Sequence, residues 1–328
     1  MTGAFRAVGA FCVFGKLPSR AEFLHVGPNS ALLSQFDAWL TDSVEWAHAR
    51  NGSTWDEAFR AGTMRAFMYR GAGAGMELSL VVGALAPSRD EAGRLYPICV
   101  AAPVIVSPEF MKSAHLLPLA CEEIWQVASE SLAALHSNPD ADLEAQLAGL
   151  PEPSVVAFSD AEGEYAGWRE ALQLWELDGL ITGSKQSDAL RGILRLVAEA
   201  VQPYRKQESP NTPLSLRLPL GAAGGAAVCF WLDAVRRLVG WRTTVPSLFW
   251  SHDGDSGQLT VHLGAAPVSS VSELWLPSER CDEFCDLTSP LAAATVASLP
   301  PLPGASEQLL LNRSSSIAQL LAALDVNL

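Results

Sequence analysis

Four stretches in the first third of the chain have the apolar pattern of buried strands. Residues 8–14 are a continuous apolar run that ends in a glycine and a nearby proline, which predicts a buried strand. Residues 64–70 and 76–85 predict two more strands, and the glycine-rich segment between them indicates a hairpin. The stretch "LYPICVAAPVIV" is equally apolar, but its two prolines favour a strand near a sheet edge.

Helical periodicity alternates with these strands. From Asn29 onward, apolar residues recur at steps of three and four, which predicts an amphipathic helix capped by Asn29 or Ser30. Ser53, with Asp56 three residues later, predicts the start of a short helix that ends at Gly62. The same periodicity predicts further helices over about 109–137 and 140–149, and two within 160–206.

A second group of strands follows in the last third of the chain. The segments "LSLRLPL", "PSLFWS" and "QLTVHLG" have strand patterns, and the helical pattern "AAVCFWLDAVRRLV" lies between the first two. The turn residues "HDGDSG" join the last two strands as a hairpin. We therefore expect an α/β (α+β) fold: a mixed, largely antiparallel sheet with helices on both faces, in a three-layer sandwich.

The expected domain organisation is one large domain followed by a tail. Residues 1–289 are predicted to form a single α/β domain, and residues 290–328 a Pro/Ala-rich tether with a C-terminal helix. Within the domain we distinguish three regions, which are a core region at 8–105, a helical insertion at about 140–206 and the second strand group at 214–263.

Composition narrows the classes of function. With 328 residues and 49% hydrophobic residues the chain can bury a sizeable core. Its net charge of -14 repels nucleic acid and anionic lipid, so a nucleic-acid partner is not expected. The sequence contains no apolar run of membrane-spanning length, and its N-terminus lacks the features of an export signal. The expected location is the cytoplasm, without membrane insertion.

No pattern in the sequence assigns a catalytic residue, a metal or a cofactor. The glycine segments "GAGAG" and "GAAGG" lack the spacing and the Lys and Ser or Thr of phosphate-binding loops. The six cysteines are expected to be reduced, and Cys281 and Cys285, four apart on a predicted helix, have no histidine pair to complete a metal site. His252 stands beside aspartates in "HDGDSG", where a hairpin turn explains the composition better than a catalytic triad.

Three segments of the first hundred residues form a combined motif: "FGKLPSRAEFL" at 14–24, "FDAWL" at 36–40 and "GALAPSRDEAGRLYP" at 83–97. In order and spacing they resemble the TagF family of type VI secretion, also called ImpM. The resemblance covers about residues 8–105, and "PSLFW" at 246–250 more weakly. The sequence departs from the family pattern at Ala21-Glu22, where the pattern has Gly-Asp. The matching residues, which are the candidate partner-binding residues, are Gly15, Lys16, Leu17, Pro18, Ser19, Arg20, Phe23, Trp39, Pro87, Ser88, Asp90, Gly93, Arg94 and Pro97.

The resemblance implies a function without catalysis. It implies a cytoplasmic accessory protein that restrains assembly or firing of the secretion machine by contact with other type VI secretion proteins, among them a forkhead-associated scaffold protein. An alternative is that Lys16, Arg20 and Arg94 bind a phosphate or carboxylate, as a small-ligand protein or an enzyme would. A third interpretation is structural: Arg20 and Arg94 pair with Glu22 and Asp90 and hold two loops together. We expect Arg20 and Arg94 to be partly buried, with Lys16 freer and facing the partner.

Overall fold

A computed structural model describes ten segments of the chain, and all structural statements below concern these segments. They are residues 5–71, 78–140, 142–183, 189–205, 213–241, 244–251, 257–276, 284–288, 293–312 and 314–325.

The strands are short at the ends of the sheet and long in its middle. They are β1 (Phe5–Ala7), β2 (Cys12–Gly15), β3 (Leu24–Val26), β4 (Arg65–Arg70), β5 (Leu78–Ala86), β6 (Ile98–Val106), β7 (Ser215–Pro219), β8 (Ser247–Trp250), β9 (Gln258–His262) and β10 (Phe284–Asp286).

The helices fall mainly between the two groups of strands. They are α1 (Ala31–Asn51), α2 (Ser53–Arg60), α3 (Leu117–Ala120), α4 (Glu122–Ser137), α5 (Leu143–Ala148), α6 (Phe158–Ala171), α7 (Leu174–Thr182), α8 (Ala189–Val201), α9 (Gly224–Val239), α10 (Ser270–Trp275), α11 (Ala293–Ser298), α12 (Ser306–Leu311) and α13 (Ile317–Ala323), with 3₁₀ helices at Pro108–Leu116 and Gln202–Tyr204.

Both strand groups belong to one sheet. Within the described residues its order is β10-β7-β9-β8-β4-β5-β6-β2-β3, and β1 pairs with β6 beside β2. The β4–β8 pair, in which Ala66 lies opposite Trp250, joins the first group of strands to the second. Only β10 and β7 run parallel among these pairs. The predicted mixed, largely antiparallel sheet is confirmed.

Helices cover both faces of this sheet. In β5, Leu80 and Val82 face one hydrophobic cluster, whereas Val81 and Leu85 face another. The first cluster includes residues of α3 to α9 and α13, and the second includes residues of α1, α2 and α10. Because successive side chains of a strand point to opposite faces, a strand buried on both faces is apolar throughout. The continuous apolar runs in the sequence therefore mark the centre of a three-layer structure.

The prediction that the proline-containing stretch lies near an edge is wrong, because β6 is a central strand. It pairs with β5 on one side and with β1 and β2 on the other. Pro103 lies opposite the interruption between β1 and β2, where its carbonyl still accepts a hydrogen bond from the Val8 N–H (2.8 Å). The N–H and C=O of a strand residue point to the same side, so the N–H that proline lacks would face Val8, and the missing bond falls where the β1 pairing ends.

Helix boundaries in the middle of the chain differ from the predictions. The pattern over 109–137 is divided into a 3₁₀ helix, α3 and α4, and α5 is capped by Asp142 rather than opened at 138–139. The segment 160–206 contains three main α-helices instead of two. The extra break lies at Gln173, which bridges to Ser316, while Leu174 N–H donates to Ser315 O (2.9 Å). Ser315 and Ser316, far along the chain, thus pair with backbone groups that would otherwise continue the helix.

Two other local predictions need correction. α2 begins after Gly52 without a side-chain cap from Ser53, and its C-cap is Ala61, not Gly62. Cys285 lies in β10, paired with Leu216, so the helical spacing proposed for a cysteine pair does not apply to it. Cys281 lies outside the described residues. The β8–β9 hairpin is confirmed by its antiparallel pairing, although His252 in its turn is also outside the described part.

The C-terminal segment packs on the body of the protein. α13 contacts α6 and α9, and its Ile317, Leu320 and Leu321 are buried in the larger hydrophobic cluster. Arg195 of α8 pairs with Glu307 of α12 (Nε to Oε2 3.2 Å). Removal of residues 290–328 would therefore uncover core side chains, so we expect the truncated body to lose stability.

We predict that Leu320→Ala lowers the free energy of unfolding by about 2–5 kcal/mol, because it leaves a cavity at a fully buried position. Leu311→Ala is the matched control, since that side chain is 55% exposed. Urea unfolding of both variants checks this. Equal stability of the two variants would contradict the docking of α13.

We also predict an acid-side loss of stability from two buried histidines. Burial lowers the pKa of His262 from 6.5 to about 3. Burial likewise lowers the pKa of His115 to about 4, although the charge of Asp233 opposes the shift. Below pH 6.5 the unfolded chain binds protons that the folded chain refuses, so each histidine removes about 1.4 kcal/mol per pH unit until its folded pKa is reached.

Urea unfolding between pH 7 and pH 5 measures this slope. We expect His262→Gln to reduce the slope, and His25→Gln, at an exposed position, to leave it unchanged. An identical slope in all three proteins would show that His262 does not control it.

Candidate functional site

The first motif loop begins where β2 ends. Arg20 N–H donates to Leu17 O (3.1 Å), which closes a turn with Pro18 at its second position. Proline suits that position because its φ is preset. Leu17 is 1% exposed and anchors the turn in the core. Ser19 Oγ donates to Pro139 O (2.6 Å), which ties the outer side of the turn to the chain beyond α4.

Two motif glycines are required by the backbone. Gly15 has a φ of 125°, and a Cβ there would lie 2.1 Å from the carbonyl oxygen of Pro97 on the neighbouring strand. Gly93 has a φ of 84°. Side chains other than hydrogen are strained at such φ values. The backbone of the two motif segments therefore comes into direct contact at Gly15 and Pro97.

The second motif loop is the tip of the β5–β6 hairpin. The pairing continues past the strands, as Tyr96 N–H donates to Ser88 O (3.1 Å) and Asp90 N–H donates to Arg94 O (3.1 Å). Gly93 N–H donates to Asp90 O (2.9 Å), which closes the turn at the tip. The order of "PSRDEAGR" therefore encodes a tight hairpin end that places Asp90 toward the first loop.

Asp90 is a buried carboxylate held by two cations. Its Oδ2 lies 3.2 Å from Lys16 Nζ and accepts a hydrogen bond from Arg94 Nε (2.6 Å), while its Oδ1 accepts from the Arg94 backbone N–H (2.8 Å). Burial alone would raise the pKa of Asp90. The hydrogen bonds from Arg94 and Lys16 outweigh burial and lower the pKa from 3.8 to about 2.

Backbone contacts complete the junction of the two loops. Arg94 Nη2 donates to Ala21 O (2.9 Å), and Glu91 N–H donates to Arg20 O (3.0 Å). The expected Arg94–Asp90 pair is present. Arg20 and Glu22 are both exposed and form no ion pair with each other within the described chain. Asp90, together with the backbone of residues 20 and 21, is therefore what joins the loops.

The expected order of burial among the cations is wrong. The Lys16 side chain is 16% exposed, whereas the Arg94 side chain is 66% exposed. Arg20 is also exposed rather than partly buried. The reason is position: Lys16 directly follows β2 and extends along the protein toward Asp90, whereas Arg94 lies at the outer end of a hairpin.

The remaining motif residues divide between core and surface. Trp39 lies in the core, where its indole N–H donates to Ala266 O (2.9 Å). Phe23 is 42% exposed. Its ring packs against the Tyr96 ring in a T-shaped arrangement, with the ring centroids 5.2 Å apart. The buried set is Gly15, Leu17, Trp39, Asp90 and Pro97, and Pro87 and Ser88 are half-buried. We call the exposed set the motif face: Pro18, Ser19, Arg20, Phe23, Gly93 and Arg94.

A groove of about 300 Å³ adjoins the motif face. Both motif loops line it, together with the end of α2 and the end of α4. No sequence pattern indicates Arg60 or His136, because α2 and α4 reach the groove only through tertiary packing. Arg89 stands inside the second motif segment but is not one of its matching residues. The lining residues are Pro18, Phe59, Arg60, Pro87, Ser88, Arg89, Leu95 and His136.

The part of the chain that the structure describes contains neither a candidate metal site nor a candidate membrane-spanning helix. No group of three or more His, Cys, Asp or Glu side chains there could hold a metal ion. No helix there is long and apolar enough to cross a membrane. The segment "GAAGG" forms the connection from β7 to α9, where Ala222 N–H donates to Leu180 O (3.2 Å).

Comparison with known families identifies the region that carries the site. Residues 12–150 match the family described as TagF N-terminal domain, type VI secretion system-associated. The chain is thus similar to this family over that region. The matched region contains both motif loops and the whole groove. Its limits confirm the family resemblance and extend it beyond residue 105, through α5.

Two further comparisons concern the whole chain. The crystal structure of PA0076 from Pseudomonas aeruginosa PAO1 is similar to it with a TM-score of 0.45 and 16% sequence identity, over 90% of this chain and 100% of that chain. No curated protein sequence matches the chain.

We predict that Asp90→Asn lowers the melting temperature by about 4 °C or more, because it removes the negative charge that neutralises the largely buried Lys16. The neighbouring Glu91→Gln is a control with the same change of charge at an exposed position. Differential scanning calorimetry at pH 7 compares the two. If Glu91→Gln proved as harmful as Asp90→Asn, the specific role of the Asp90 ion pairs would be refuted.

Proposed function

We propose that this protein is a non-enzymatic, cytoplasmic accessory protein of type VI secretion. In this proposal it restrains assembly or firing of the machine after translation, through contact with another secretion protein. A scaffold protein with a forkhead-associated domain is the proposed partner. The proposal begins from the match of residues 12–150 to the TagF N-terminal domain, whose family is associated with type VI secretion.

The observation that carries the proposal is that some motif residues are used to hold the two loops in place, whereas others are exposed to solvent. Lys16 and Arg94 both bind Asp90, Gly15 allows the close approach of the neighbouring backbone, and Leu17 packs in the core. These contacts fix the positions of two loops. These loops present the motif face to solvent, with an exposed aromatic ring and with Arg20, which forms no ion pair with any described residue. A fixed surface with an aromatic residue and arginines suits protein recognition.

Phosphate binding by Lys16, Arg20 and Arg94 is the alternative, and Asp90 weighs against it. Its carboxylate lies within 3.2 Å of the amine of Lys16 and 2.6 Å from Nε of Arg94. An anion at this place would compete with a buried carboxylate for the same two cations. Arg20 alone would remain fully available.

We predict that Arg20→Ala/Phe23→Ala abolishes restraint of secretion while the protein stays folded. The loss of the Phe23–Tyr96 ring contact should cost only about 0.5–1.5 kcal/mol. The measurement is release of a type VI substrate by cells that lack the native gene and carry either variant or wild type, with thermal melts of the purified proteins.

The matched control is Arg50→Ala/Leu311→Ala, which removes one exposed arginine and one exposed apolar side chain elsewhere. We expect this control to restrain secretion like wild type, and to bind the purified scaffold protein equally well. Normal restraint by the Arg20→Ala/Phe23→Ala protein would refute the motif face as the contact surface.

A further inference from the structure

The groove beside the motif face combines an apolar lining with basic walls. Leu95, with Pro18 and Pro87, provides apolar surface, and the buried ring of Phe59 lies behind it. An apolar cleft of about 300 Å³ holds one or two side chains rather than a folded element. The occupant that fits by size is therefore a short segment of polypeptide that inserts an apolar residue.

Two arginine side chains stand around this apolar surface. Arg89 is exposed and makes no ion pair with any described residue. Arg60 is half exposed, and its contact with Asp56 is a long one at 3.9 Å. Asp56 is also bound by His48 (2.9 Å), so it neutralises Arg60 only in part. Two guanidinium groups are thus available at the rim.

His136 connects the wall of the groove to α4. Its Nδ1 lies 2.9 Å from Leu132 O, and its Nε2 lies 3.3 Å from Pro87 O. Both partners are carbonyl oxygens, which only accept hydrogen bonds. The contact with Pro87 O holds the wall of the groove against α4.

The carboxylates near the groove do not cancel this charge. Asp90 is buried and already bound by Lys16 and Arg94. Glu91 is exposed at the hairpin tip and does not line the groove. On a chain with a net charge of -14, a rim with two arginines is a local reversal of sign. Complementary charge sets which partners reach such a surface.

We propose that this groove binds an acidic peptide segment of a partner protein, with an apolar residue in the cleft and flanking Asp or Glu side chains on Arg60 and Arg89. The inference rests on the proposed function, because it gives the chemistry of the partner segment that docks beside the motif face. Guanidinium groups suit this role because they bind carboxylates in bidentate geometry.

Selection of randomised peptides displayed on phage, with the full-length purified protein as target, tests the proposal without assuming a partner. We expect the enriched peptides to carry an apolar residue flanked by Asp or Glu. Their affinity, measured by fluorescence anisotropy of synthetic copies, should fall about tenfold or more for Arg60→Ala/Arg89→Ala and should weaken with added salt.

The matched control is Arg6→Ala/Arg50→Ala, which removes two exposed arginines outside the groove and should bind the peptides like wild type. Arg89→Glu alone, at an exposed position, repeats the test if the double variant is unstable. Enrichment of basic or uncharged peptides, or equal binding by the groove variants, would overturn the proposal. A wild-type dimer that Arg89→Glu dissociates would assign the groove to a second copy and would also overturn it.

The binding test and the secretion test fail independently. Peptide binding that depends on Arg60 and Arg89, in a protein that does not restrain secretion, would leave the groove assignment intact and refute the proposed function. Restraint of secretion that survives Arg60→Ala/Arg89→Ala, with no acidic peptide selected, would refute the groove assignment and leave the motif face as the contact surface.

Discussion

The ion pairs of one carboxylate hold the candidate site together. Asp90 is removed from water at the end of the β5–β6 hairpin, and a charge in such a place is stable only when it is paired and hydrogen-bonded. Lys16 comes from the end of β2 and Arg94 from the hairpin itself. Because the Asp90 carboxylate pairs with both cations, it fixes the two loops relative to each other. The contacts of Arg94 with Ala21 O and of Glu91 with Arg20 O become possible once that junction exists.

The sheet supplies the rigid base for this junction. β2 and β6 pair directly, with Gly15 opposite Ile98, so the two loops leave the sheet at adjacent positions. α1 and α2 cover one face and α4 the other, and the ends of α2 and α4 close the groove between them. The site therefore depends on both layers of helices, although every residue that lines it lies within residues 12–150, which match the TagF N-terminal domain.

Features that depend on residues close together in the sequence could be predicted. The spacing of Phe36 and Trp39 predicted their shared buried face, and the run of β5 predicted a strand. Long-range contacts could not be predicted. The two prolines of the stretch that forms β6 indicate an edge strand, because the interruption between β1 and β2 opposite Pro103 cannot be seen in one sequence. The break at Gln173 depends on its bridge to Ser316, far along the chain. The burial of Lys16 likewise depends on where Asp90 lies, and the groove residues Arg60 and His136 come together only in the folded chain.

The most direct test of this junction is the ionisation of Asp90 followed by NMR through its carboxyl carbon. At pH 3.8 an ordinary aspartate is half protonated. We predict that the Asp90 resonance at this pH is that of a carboxylate, because Lys16 and Arg94 hold its pKa at about 2. A resonance that is half titrated at or above pH 3.8 would show that the two cations do not bind this carboxylate, and would contradict the view that the motif serves to fix the two loops.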